Sequence, residues 1–263
     1  MRHAVGSLAW AARTRGALSR REQIAMARDA TLAQIAGLPS LVRARLGGPR
    51  SSSSALLEGR DPPESELCVT ALELCTEASS PALVGHCIRS WYWADLFAQL
   101  DAIEFDPEVV YVAAMVHDLA LTDSYRPGTL ERDGCFATAG GELARRTLMD
   151  RGAGQSFAER VGDAVALHMN VRVPRDLGGA AYLLHAAAHL DAAGERAGDF
   201  PADALRQVLV AHPREHFAVE FAELMRREAR ERPHSRAALL WRLGMPIVLK
   251  ANPLDRLTLT EAD

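Results

Sequence analysis

Residues 111–123 read YVAAMVHDLALTD, an apolar run that ends on two adjacent polar side chains, His117 and Asp118. Asp106-Pro107 stands just ahead of it, an N-cap followed by proline at the first helical position, which predicts a helix running towards Leu119. On that helix Val110, Ala113, Ala114 and His117 share a face, and Asp118 sits about 100° further round, beside Ala114. Both polar side chains therefore converge beside the last turn. A carboxylate at a helix C-terminus is disfavoured by roughly 0.3–1 kcal/mol, so Asp118 asks for a compensating cation. Taken as two residues alone, a capped helix end with a surface ion pair accounts for them better.

The same punctuation recurs on either side. Ser80-Pro81 predicts a second helix running towards Phe97, and Ser19 with Glu22 forms a capping box for one reaching about Ile35, where AGLPS stops it. Ser156 with Glu159 forms another box ahead of Phe157, Val161, Val165 and His168 at helical spacing. A helix over about 179–193 follows, and Phe217, Phe221, Leu224 and Met225 form a further apolar stripe. No segment alternates as a strand would, and no repeat has a fixed period. The expected fold is all-α: a helical bundle with an N-terminal leader helix and a C-terminal extension. GGPRSSSSALLEGRDPPES at 47–65 reads as a linker, which divides the chain into 1–65, a main domain at 66–231, and an extension at 232–263. That extension reads as one short apolar helix followed by proline-interrupted coil.

Composition narrows the function classes. A formal net charge of -4 gives no support for nucleic-acid binding. No run approaches the roughly 20 apolar residues of a membrane span. The four cysteines, Cys68, Cys75, Cys87 and Cys135, lack zinc-ribbon or CxxC spacing and read as reduced thiols of a cytoplasmic protein. Lys250 is the only lysine beside many arginines and alanines, which reads as a GC-rich bacterial genome. The Arg-rich start, MRHAVGSLAWAARTRGALSRR, is read as a solvated leader helix, with a transit peptide or a basic surface-binding helix as alternatives.

Two side chains do not hold a metal. His86 lies on the inward face of the helix after Ser80, with Ala82, Leu83, Ser90 and Trp93, and Asp191 shares a face with Leu184, Ala187 and Ala188. An acid there is rarely buried without a partner. The ordered set His86, His117-Asp118, Asp191 resembles the pattern of the HD superfamily of metal-dependent hydrolases. The likeness is closest to its cyanamide hydratase-like branch, through HCIRSWYWADLFA at 86–98, YVAAMVHDLALTD at 111–123, CFATAGGELARRTL at 135–148, AVALHMN at 164–170 and LLHAAAHLDAAG at 183–194. The family usually follows the His-Asp pair with Leu or Ile and then Gly, where this chain has Leu119-Ala120. It also tends to carry an acid after the Phe of the middle motif, where this chain has Ala137 and Thr138.

The resemblance implies one divalent ion held by His86, His117, Asp118 and Asp191, zinc first and iron or manganese next, that activates water. His168 would act with Asp118 in catalysis as a substrate or proton-transfer residue, and Thr122, Asp123 and Trp93 would border a small-molecule substrate. The reaction expected is hydration or hydrolysis of a small polar molecule bearing a cyanamide- or nitrile-type C≡N group. The alternatives are a phosphohydrolase, with Arg89, Arg126, Arg172 and Arg175 near the motifs, and a non-catalytic metal-containing ligand sensor. A homo-oligomer stays open. His185 and His189 read as a surface pair, His212 and His216 carry no assigned role, and Trp91 and Tyr92 read as core aromatics.

Overall fold

The computed structural model describes residues 4–46, 60–126 and 134–257, without the side chains of 38–46. Most of the linker expected at 47–65 lies outside the described residues. Among those residues the chain is helical and contains no strand. In order, the helices are α1 (Leu8–Thr14), α2 (Arg20–Leu46), α3 (Glu66–Ala78), α4 (Pro81–Asp101), α5 (Pro107–Val116), α6 (Phe136–Asp150), α7 (Gln155–Leu167), α8 (Gly179–Ala193), α9 (Ala202–Ala211), α10 (Phe217–Glu231), α11 (Arg236–Arg242), α12 (Met245–Lys250) and α13 (Leu254–Leu257). A 3-10 turn, Leu119–Leu121, follows α5.

The starts of α4 and α5 follow their capping residues. Ser80 Oγ accepts from the Leu83 amide, and the Asp106 carboxylate accepts from the amides of Glu108 and Val109. Every residue from Val109 to Val116 is buried, so α5 is apolar all round because neighbours enclose it on all sides. Helices α3, α4, α7 and α8 pack around it. Trp91, Trp93 and Phe97 of α4 are wholly buried in that core, and each such side chain stabilises the fold by roughly 1.5–3 kcal/mol.

Glycines bring α6 close to α7 and to the turn after α5. A Cβ on Gly141 would collide with the Gly162 carbonyl, and one on Gly140 would sit 3.4 Å from Cβ of Ala120. A second cluster, built from α10, α11 and α12 with Leu121 and Phe136, closes the other side. The site lies where the two clusters meet.

Several local expectations are corrected. Helix α2 opens on the Ser19–Glu22 box, with the Ser19 amide donating to Glu22 Oε2 at 2.8 Å, but continues past Gly37 and Pro39 to Leu46. Packing on the 197–199 turn and a Gln34 bond to the Leu243 carbonyl hold it over the body, and tertiary contacts override propensity. Helix α7 starts at Gln155 with Gly154 as its cap, so Ser156 is already inside the helix and Glu159 binds the Gln155 amide group instead. Among its described residues the extension holds three short helices rather than one, separated by Gly244 at φ 107° and by Asn252-Pro253. The leader is docked, not solvated: Trp10, Leu18 and Ala30 are buried, and the Leu8 amide donates to Asp163. No described helix is long and apolar enough to cross a membrane, and all four cysteines are buried free thiols.

Candidate metal centre

His117 is the C-cap of α5 and His168 the C-cap of α7, and both use one local device. Each Nδ1 meets the carbonyl three residues earlier, Ala114 at 2.8 Å and Val165 at 2.6 Å. A carbonyl only accepts, so Nδ1 carries the proton and Nε2 is left as a bare lone pair aimed away from the helix. The His86 ring reaches the same place from mid-α4. Its Nδ1 lies 2.7 Å from Asp191 Oδ2, which makes Nδ1–H the donor and frees Nε2.

These Nε2 atoms converge on Asp118. His86 Nε2 and His117 Nε2 are 3.1 Å apart, and they lie 3.5 and 3.4 Å from Asp118 Oδ2. His168 Nε2 is 3.7 Å from Asp118 Oδ1. With both Nδ1 protons engaged elsewhere, the short Nε2–Nε2 approach sets two lone pairs against each other. Both oxygens of Asp118 are buried without a hydrogen-bond partner. Burial pushes His117 below the ordinary histidine range and His168 well below it, the neutral form that donates to a cation. Ligand atoms held at about 2.0–2.2 Å from one ion lie roughly 3.0–3.5 Å apart, as these do. The buried group His86, His117 and Asp118 fits a metal ion.

Asp191 does not join that group. Its Oδ1 accepts from Arg89 Nε and Trp93 Nε1, both at 2.8 Å, with Arg214 at 3.1 Å; its Oδ2 takes Arg89 Nη2 at 2.9 Å and the His86 proton. Burial opposes its ionisation, but Arg89 and Arg214 outweigh burial and hold it well below the usual carboxylate range. The Asp191 backbone carbonyl is clamped in turn by Arg214 and by Asn252. The expected fourth ligand is therefore a saturated anion behind His86, fixing that imidazole's orientation and tautomer. Phe217 stacks on His86 with centroids 4.5 Å apart and lies beneath both Arg89 and Arg214.

A cavity of about 160 Å³ opens in front of the cluster. His86, His117, Asp118 and His168 reach it, while Trp93, Thr122 and Asp123 are not among the described residues that line it. Trp93 is wholly buried on Asp191, Thr122 Oγ1 bonds the Leu119 carbonyl, and Asp123 is exposed and paired with Arg227. The reason is register: these residues point to the far side of α4 or beyond the 3-10 turn. His185 is buried, not on the surface, with Nδ1 3.1 Å from the His168 carbonyl, and its neighbour His189 meets Glu195 at 3.0 Å on the cavity wall. Arg214 and Asn252 escape a reading of local pattern because each reaches Asp191 from a distant segment of the chain.

No protein-family model matches the chain. It is 27% identical over 181 residues to each of two proteins of Saccharomyces cerevisiae (strain ATCC 204508 / S288c), cyanamide hydratase DDI2 and cyanamide hydratase DDI3. The aligned stretch covers 65% of this chain and 76% of either relative. The chain thus combines similarity to named hydratases with a buried His/Asp group able to bind a metal ion.

Proposed function

We propose that the protein is a metal-dependent hydratase of the HD superfamily's cyanamide hydratase-like branch, adding water to a C≡N group. The observation that carries this reading is the convergence of two bare imidazole nitrogens and an unpartnered Asp118 carboxylate at the floor of a cavity. Two imidazoles and one carboxylate suit zinc, with iron(II) or manganese next, and leave positions for water and substrate. When bound, the ion supplies Lewis acidity that brings water ionisation towards neutral pH.

The chain's own residues do the rest. Asp191 holds the His86 proton on Nδ1, and Ala114 holds that of His117, so both rings stay in the donating tautomer. To His168, whose Nε2 lies 3.7 Å from Asp118 Oδ1, we assign the transfer of a proton from water to the substrate nitrogen. In this reading residues 66–231 form the catalytic domain, α2 roofs it and the described part of the extension, 232–257, buttresses it.

A phosphoester would need free cations. Arg196 is the only arginine among the described residues lining the cavity, and Asp101 and Asp199 take its guanidinium at 2.7–3.0 Å. Arg89 is committed to Asp191, Arg126 to Glu231, and Arg172 and Arg175 are exposed. The test is a panel of cyanamide, nitriles and phosphoesters with metal-loaded protein and a His117→Ala control. Amide or urea formation lost in the control is expected. His117-dependent phosphate release would establish the phosphohydrolase instead, and no turnover at full metal occupancy would establish the sensor.

A further inference from the structure

The cavity is larger and less polar than cyanamide needs. At about 160 Å³ it matches the roughly 150 Å³ apolar cavities that take up benzene. Its polar floor is the His/Asp group. Its roof is the inner face of α2, where Ala30, Ala33 and Gly37 leave space, and its walls include Ala188, Phe221 and Val248.

The polar side chains on the walls are already engaged: Gln34 with the Leu243 carbonyl at 3.2 Å, His189 with Glu195 at 3.0 Å, and Arg196 with Asp101. A molecule as small as cyanamide would leave most of this space to water with few partners, which is unfavourable. We infer, resting on the hydratase reading above, that the substrate carries a benzene-sized uncharged apolar body on its C≡N group. It is an organic nitrile or an N-substituted cyanamide, with C≡N at the floor and the body beneath α2.

The reaction balances without oxidant or reductant. The water oxygen bonds to the nitrile carbon as one C≡N π bond opens, and the nitrogen takes up one water proton. The second proton then moves from oxygen to nitrogen, giving the amide or, from a cyanamide, the urea.

The test compares kcat/KM for cyanamide and phenylcyanamide in the metal-loaded full chain and in Ala33→Leu. The wild type is expected to favour phenylcyanamide by about tenfold or more, and Ala33→Leu to lower that ratio by a similar factor. Taking the ratio between proteins cancels the intrinsic reactivity of the two compounds. Leucine is a good helix former, and calorimetry of phenylurea against urea on the wild type gives a readout independent of the variant, with phenylurea expected to bind about tenfold or more tighter. Turnover of cyanamide with no preference for the ring, and no change in Ala33→Leu, overturns this inference and leaves the hydratase standing. Turnover of neither compound overturns the hydratase reading and this inference with it.

Discussion

Asp118 and Asp191 are both buried carboxylates, one on each side of the His86 ring, and their settings are opposite. Asp191 has its oxygens taken by two arginines, a tryptophan and an imidazole, whereas Asp118 has none of its oxygens hydrogen-bonded. An isolated buried anion costs several kcal/mol, so a fold keeps one only where something from outside the chain completes it. In the proposed reading the saturated acid is structural support, and the bare acid marks the place of chemistry. Residue type and burial do not separate the two; the inventory of donors does.

The largest effect that would break this comparison is at the bare acid. Asp118→Ala is expected to abolish metal occupancy and turnover while leaving thermal stability close to wild type or higher, measured by metal analysis and calorimetry. At the saturated acid the balance reverses. Asp191→Asn leaves Arg89 and Arg214 without their anion, so it is expected to lower stability by about 3–5 kcal/mol in urea unfolding. It should also weaken metal affinity or activity by roughly 10–100-fold, through the His86 tautomer.

A third prediction concerns the ring beneath His168. Burial, with the nearby His189 adding to it, pushes His185 down to about 3, whereas an unfolded histidine titrates near pH ~6.5. Between those values the unfolded chain binds the extra proton. His185 therefore contributes fully above about pH 6.5 and loses that contribution as the pH falls towards 3, by up to about 1.4 kcal/mol per pH unit. Urea midpoints at neutral pH and near pH ~5 should fall less in His185→Gln than in the wild type. The smallest effect belongs to an acid outside both settings. Asp123→Ala removes an exposed ion pair with Arg227, so stability should change by less than about 1 kcal/mol and kcat/KM not at all.

How far the sequence reaches follows from the range of each interaction. Ser80-Pro81, Asp106-Pro107 and the Ser19–Glu22 box act within one helical turn, and all three open helices as read. His86 and His117-Asp118 were legible from spacing, capping and resemblance, and the structure brings them within ligand distance of one another. The position of Asp191 behind His86 depends on Arg214 and Asn252, which approach from distant segments and leave no local pattern. The continuation of α2 over the cavity depends on packing against residues near 197–199 and 243, again beyond any local window. Trp93 shows the same limit from the other side: helical spacing placed it near His86 correctly, but only the fold shows that its indole faces Asp191.

The most direct test is metal analysis of purified wild type, Asp118→Ala and Asp191→Asn side by side. About one divalent ion per chain is expected in the wild type, none in Asp118→Ala, and a weakened but detectable ion in Asp191→Asn. Folded wild-type protein that takes up no divalent ion, or an Asp118→Ala variant that binds it undiminished, would contradict the account.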